Sequence, residues 1–347
     1  MLDLKQQIES GALKRGDKLQ AEQEYAAAYG TSTITVRKAL ELLVAEKLVH
    51  RIKGKGSYVS TPDAQADNSH LMAVVFSIED YHDASFMQIV MGLQRTLAQM
   101  HYSLIVEWNN RNLEDEHASI RNLIQRQVEG VFLYPYDPDA SVGDYRLLEQ
   151  AGIPYIVLDH HSHNHPTHFV SCDNRTGGAL ATAHMIAMHH RKLRFVNFEF
   201  NFSSEQERYE AFYNTMRKHG LCRHDETLML CYSEIDFDAL AADIRRGEIT
   251  GLVCVNDKMA IQCIRQLMAR GLRVPEDVSI IGFDDWERNS TSPVPLTTIR
   301  QSFVNLGTCA ALLMRMLHEC PIQENCTLLT GVELICRESV RALPAEA

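Results

Sequence analysis

The 347-residue chain is 45% hydrophobic and 23% charged, with a formal net charge of -11; this is a globular composition and excludes a disordered or fibrous chain. Its apolar runs fall short of the roughly 18–20 residues that cross a bilayer, and its length points to two or three domains rather than one core. Residues 1–62 carry ten Lys/Arg against seven Asp/Glu, a balance of +3, whereas the remainder stands at -14. A small basic head on a large acidic body suits phosphate binding by the head alone. The nine cysteines have no paired metal spacing and read as free thiols in a reducing compartment. The N-terminal helix start lacks the apolar core and cleavage site of a signal peptide, so a cytoplasmic protein is expected.

In the head, helices are predicted over residues 2–10, 21–29 and about 33–46. Gly30-Thr31-Ser32 interrupts the second, and Ser32 stands where it N-caps the third. Val36, Leu40 and Leu43 share one face of that third helix. Two helices joined by a short glycine-containing turn form a helix-turn-helix. The first turn of the third helix offers Thr33, Ile34, Thr35 and Arg37, side chains that reach base edges and phosphates from a recognition helix. Alternating residues at 48–52 and 57–59 then flank Lys53-Gly54-Lys55-Gly56, a hairpin with a basic tip, which reads as a wing.

These residues resemble the head of the GntR family of bacterial regulators. The resemblance rests on Ile8, Gly11, Leu13, Gly16, Asp17 and Leu19, then Ser32, Thr35, Val36, Arg37, Ala39, Leu40 and Leu43, and finally Gly54, Gly56 and Val59. It implies DNA contacts at Gln23, Thr33, Thr35, Arg37, Lys55 and Gly56; Ser32 and Lys53 join them as the helix cap and a wing cation. Gln23 and Thr33 stand where the family usually has Arg, so an operator unlike the usual one is expected.

Residues 63–70 form a polar linker. Beyond it, strand candidates at 71–77, 103–108, 130–134, 155–158, 194–198, 227–231, 251–255 and 278–282 alternate with amphipathic helices such as 86–100, 178–188, 207–218 and 258–270. That alternation predicts an α/β body with parallel sheets covered on both faces, and so many units predict two Rossmann-like lobes. The expected organisation is a winged helix-turn-helix over 1–62, the linker, and a two-lobed effector domain over 71–347.

Ligands of such sheets bind beyond the C-terminal strand ends. Asp159, Asp173-Asn174, Asn256-Asp257 and Asp284-Asp285 close strands or short apolar stretches and can accept hydrogen bonds from hydroxyls. Arg208 supplies planar donors, and Tyr81, Phe86 and Trp108 are candidates to cover an apolar ring face. As helix caps, Asp173, Asn174 and Asp257 have an equally good structural role. No glycine-rich nucleotide loop and no nucleophile motif is present, so no cofactor and no catalysis are expected.

The body resembles the effector domain of the LacI/GalR family, the type I periplasmic-binding-protein fold. The segments that carry the resemblance are 170–178, Arg208 to Phe212, 255–260, 271–285, 296–301 and 333–339. It implies effector contacts at Asp159, Arg208, Asn256, Asp284 and Gln301, and dimerisation through the body. A GntR-type head on a LacI-type body resembles the arabinose-repressor subgroup, which implies operator DNA and a small sugar, arabinose or a related pentose or hexose, as partners of a homodimer. A different reading is metal sensing by His160, His161, His163, His165 and His168, which lie within nine residues.

Overall fold

A computed structural model describes residues 2–9, 12–14, 16–45, 48–52, 56–59, 70–78, 84–198, 202–223, 227–285, 291–320 and 324–344. The chain divides into two compact units, residues 1–69 and 70–347.

In the first unit, α1 (Leu2–Glu9), α2 (Glu22–Ala28) and α3 (Thr33–Ala45) precede the hairpin of β1 (Val49–Ile52) and β2 (Gly56–Val59). Leu4, Leu19, Tyr25, Val36, Leu40, Leu43, Val49 and Val59 are buried together. Val49 stands opposite Val59 in the antiparallel register, so each strand hands one valine to the helices. Glu24 reaches back to accept from the Ala21 N–H at 2.9 Å, starting α2 as a capping residue does. Gly30, at φ +58°, takes the left-handed turn between α2 and α3 that glycine adopts without steric cost.

The second unit begins with β3 (His70–Ser77), α4 (Ala84–Gln99), β4 (Tyr102–Asn109), α5 (Leu113–Gln125), β5 (Gly130–Tyr134), α6 (Val142–Ala151), β6 (Tyr155–Leu158) and β7 (Phe169–Cys172). The chain then builds a second lobe from α7 (Asn174–Ala187), β8 (Leu193–Asn197), α8 (Ser203–Lys218), β9 (Met229–Cys231), α9 (Phe237–Arg245), β10 (Gly251–Cys254), α10 (Asp257–Met268), β11 (Ser279–Asp284) and β12 (Thr297–Gln301). It returns to the first lobe for α11 (Phe303–Glu319) and β13 (Thr327–Thr330), and ends in the second with β14 (Val332–Ile335).

The first sheet has the order β13-β7-β6-β5-β3-β4 and the second β14-β12-β11-β10-β8-β9. Every pairing is parallel except β12 with β14. The strands are nearly continuous apolar runs because helices cover both faces: Ala73 and Val75 face Ile120, Leu123 and Leu148, while Val74 and Phe76 face Leu93, Leu306 and Leu313. Gly92 on α4 and Gly307 on α11 meet at the helix crossing, where a Cβ on either would overlap the other helix's backbone. The chain passes between lobes three times, at residues 173, 302 and 331. This is the two-lobed α/β architecture expected from the strand–helix alternation. No helix among the described residues is long and apolar enough to cross a membrane.

Candidate functional site

Ser32 caps α3: its Oγ accepts from the Thr35 N–H at 3.2 Å and lies 2.8 Å from Thr35 Oγ1. With Val36, Leu40 and Leu43 turned inward, the helix period leaves Ile34, Arg37, Lys38 and Glu41 on the outward face. Arg37 donates to Glu22 Oε2 at 3.0 Å, and Arg51 donates to Glu22 Oε1 at 3.3 Å. One carboxylate on α2 therefore holds a cation from α3 and another from the hairpin. Gln23, Ser32, Thr33, Thr35 and Arg37 are all exposed, as is Gly56 at the start of β2. Lys53 and Lys55 lie outside the described residues.

A cavity of about 690 Å³ opens where strand ends of both lobes converge. Ser77 from β3, Tyr134 from β5, Asp159 after β6, Asn256 after β10, Asp284 from β11 and Gln301 from β12 all line it. Asp159, Arg208, Asn256, Asp284, Gln301 and Phe86 are thus brought to one place. Trp108 is not: β4 pleats its ring onto Phe76, stacked at 4.7 Å between centroids, so it backs the core rather than the cavity. Tyr81 lies outside the described residues. A second concavity, of about 570 Å³, sits beside the edge strand β9 and contains none of the expected residues.

Arg208 is the centre of the polar cluster. It is 6% exposed, donates to Asn174 Oδ1 and to the Val255 carbonyl at 2.8 Å each, and lies 3.5 Å from Asp284 Oδ1. Its guanidinium stacks 3.7 Å above the Phe283 ring. Burial disfavours its charge, but Asp284 and Asp159 outweigh burial and hold its pKa above the ordinary value. Gln301 donates to Asp284 Oδ1 at 2.7 Å, and its own buried Oε1 has no hydrogen-bond partner. Gly177 and Gly178 let α7 approach this cluster, since a Cβ on them would strike the Phe283 ring and the Arg208 backbone.

Tyr134 donates to Asp159 Oδ2 at 3.2 Å, and His160 Nδ1 approaches the same oxygen at 3.4 Å. Burial pushes the Asp159 carboxyl up, yet the hydrogen bond and charge of His160, with Arg208, carry it below its ordinary value. Asp159, Asp284 and Asp285 all have positive φ, at +68°, +112° and +56°, an uncommon conformation for non-glycine residues. Asp285, its side chain 4% exposed, pins its turn by accepting from Arg300 at 2.8 Å and Arg337 at 2.6 Å.

Some capping roles differ from the expected ones. Asp173 does cap α7, accepting from Thr176 N at 2.9 Å. Asn174 instead positions Arg208, and buried Asp257 accepts from Thr298 Oγ1 at 2.5 Å. Asn256 caps α10 through Oδ1, accepting from Met259 N at 2.8 Å, while it lines the cavity.

Sequence reasoning missed Ser77, Arg111, Tyr134, Phe202, Glu205 and Lys258 in the lining. Ser77 and Tyr134 end strands, so the strand-end rule that found Asp159 applies to them too. Behind Ser77 lies buried Glu116, which accepts from Ser77 Oγ, Ser141 Oγ and, at 2.7 Å, the Tyr136 N–H. Burial pushes its carboxyl up against those hydrogen bonds. A raised folded-state pKa adds stability below the unfolded value, near pH 4.3, and that stability is lost as pH rises through the folded value. Glu116→Gln is therefore expected to flatten the fall of melting temperature as pH rises above the unfolded value; an unchanged pH profile counts against this role.

Three of the five histidines of residues 160–168 face separate polar partners, while the His161 and His163 rings pack on each other at 5.4 Å between centroids. His160 Nε2 faces the Pro135 carbonyl at 3.1 Å, His165 Nε2 faces Glu149 at 2.9 Å, and His168 Nδ1 accepts from Cys326 N at 3.1 Å. Among the described residues no group of three or more His, Cys, Asp or Glu converges as metal ligands.

Comparison with known proteins follows the two units. Residues 2–59 match the gntR family of bacterial regulatory proteins, and residues 182–340 match the periplasmic binding protein-like domain. An arabinose metabolism transcriptional repressor of Geobacillus stearothermophilus is 29% identical, across 99% of this chain and 98% of that protein. The transcriptional repressor PurR of Haemophilus influenzae is 30% identical, across 74% of this chain and 78% of that protein. A ribose-bound LacI family regulator from Enterococcus faecium superposes with a TM-score of 0.65 at 25% identity, across 79% of this chain and 99% of that one. The lac repressor dimer on its operator, at 23% identity and TM-score 0.67 across 82% and 100%, shares the fold. The chain belongs to the DNA-binding transcriptional repressors that join a GntR-type helix-turn-helix to a LacI/GalR-type, periplasmic-binding-protein-like effector domain.

Proposed function

We propose that this repressor binds operator DNA as a homodimer in the bacterial cytoplasm and releases it when a small sugar closes the two lobes. The observation that carries the reading is the Asp159–Arg208–Asp284–Gln301 cluster around the cavity. Carboxylates from both lobes and a buried guanidinium suit a polyol, whose hydroxyls both donate and accept. The unpartnered Gln301 Oε1 adds one more acceptor. Phe86 and Tyr134, packed edge to face at 5.0 Å, offer an apolar wall for the C–H face of a ring. Arabinose is the leading effector, because the chain is similar over nearly its full length to repressors named for arabinose metabolism. One head covers too little DNA for tight binding, and two heads on paired half-sites remedy that.

A thermal-shift screen against pentoses, hexoses and their phosphates, nucleosides and divalent metals tests the reading. A rise with one sugar supports it; a rise with a metal alone overturns it. Asp284→Ala is expected to weaken binding of that sugar at least about tenfold, the loss of a charge-assisted contact, with operator affinity in the absence of sugar retained. A normal sugar response in the variant places the pocket elsewhere.

A further inference from the structure

Of the large apolar side chains that α3 leaves exposed, Ile34, Leu42 and Val44, Ile34 alone stands in the first turn. Ile34 is 67% exposed, more than any other large hydrophobic side chain among the described residues. It shares its face with Arg37, Lys38 and Glu41, opposite the buried Val36, Leu40 and Leu43, so the core of the head makes no use of it. A lone exposed isoleucine on an ordinary surface needs no explanation. Here its position matters: it is the second residue of α3, at the end of a recognition helix that meets base edges. Around it, the Thr35 hydroxyl pairs with Ser32 and the Arg37 guanidinium with Glu22.

An aliphatic side chain neither donates nor accepts a hydrogen bond. In the major groove the apolar feature on a base edge is the C5-methyl group of thymine; cytosine shows an amino donor there, and the purines show N7 acceptors. We propose that Ile34 is a specificity-determining residue that reads a thymine of the operator by packing on its 5-methyl group. Other bases at that position are disfavoured twice. They lack the methyl, and a polar edge pressed against isoleucine loses its water without gaining a partner.

The test uses the full-length protein and an operator selected from a randomised duplex pool. Each thymine is replaced singly by deoxyuridine, which removes the methyl and leaves every hydrogen-bonding group. Binding is followed by fluorescence anisotropy. One replacement is expected to weaken the wild-type protein about fourfold, the equivalent of one buried carbon. Ile34→Ala should bind the thymine and uracil duplexes alike, and Ile34→Val should keep most of the difference. The proposal is overturned if no uracil replacement weakens the wild type, or if the penalty persists undiminished in Ile34→Ala.

Discussion

Arg208→Ala is expected to abolish effector binding and to lower the melting temperature of the effector domain by about 10 °C. The guanidinium satisfies Asn174 Oδ1 and the Val255 carbonyl and faces Asp284, and Arg208, Val255 and Asp284 line the cavity. Removing the guanidinium takes a donor from Asn174 Oδ1 and the Val255 carbonyl and a cation from beside Asp284, which keeps the Gln301 amide. Breaking a buried pair from one side costs about 3–5 kcal/mol, and in a domain of this size each kcal/mol is worth about 2–4 °C. Sugar affinity falls further, because the cation that faces Asp284 and helps His160 hold the Asp159 carboxyl below its ordinary value is gone. Arg208→Lys restores the charge without the planar fork, and should regain stability before it regains affinity. Calorimetry with and without sugar checks both; a stable variant that still binds sugar removes Arg208 from the centre of the site.

In the head, Arg37→Ala is expected to weaken operator binding about tenfold or more, the range for loss of one specific arginine contact. Arg37 is exposed and paired with Glu22, and an exposed pair of this kind contributes little by itself. A phosphate or a base edge can therefore displace Glu22 at small cost. Glu22 also holds Arg51, so Glu22→Gln frees two cations at once and should strengthen binding, most visibly at low salt. Anisotropy titrations over a salt series separate the roles. A phosphate contact by Arg37 lowers the salt slope by about one when it is lost, whereas a base contact changes sequence preference. Unchanged affinity in Arg37→Ala excludes both.

Much of the architecture was legible because buried parallel strands are apolar runs bounded by turns. Strands predicted at 130–134 and 155–158 coincide with β5 and β6. Strands β7, β12, β13 and β14 were not assigned. Each has four or five residues, and in β13 only Thr330 is buried. It becomes a strand by pairing with β7, some 160 residues earlier in the chain, a contact that no local pattern reveals. The site was legible where strand ends carry a carboxylate or amide, as at Asp159, Asn256 and Asp284. It was not legible at Trp108, whose direction depends on one step of the pleat. Nor was the link between Asn174 and Arg208, which are 34 residues apart, since it forms only once α7 and α8 pack together.

A sugar in the cleft is proposed to control the head's grip on DNA. By linkage, sugar must weaken operator affinity by the same factor by which operator weakens sugar affinity. The most direct measurement is the anisotropy of a selected operator duplex bound to the full-length protein, titrated with L-arabinose and then with other pentoses and hexoses. One sugar is expected to release the DNA from the wild type and to fail to release it from Asp284→Ala; release by no sugar, or equal release from both proteins, overturns control by the cleft.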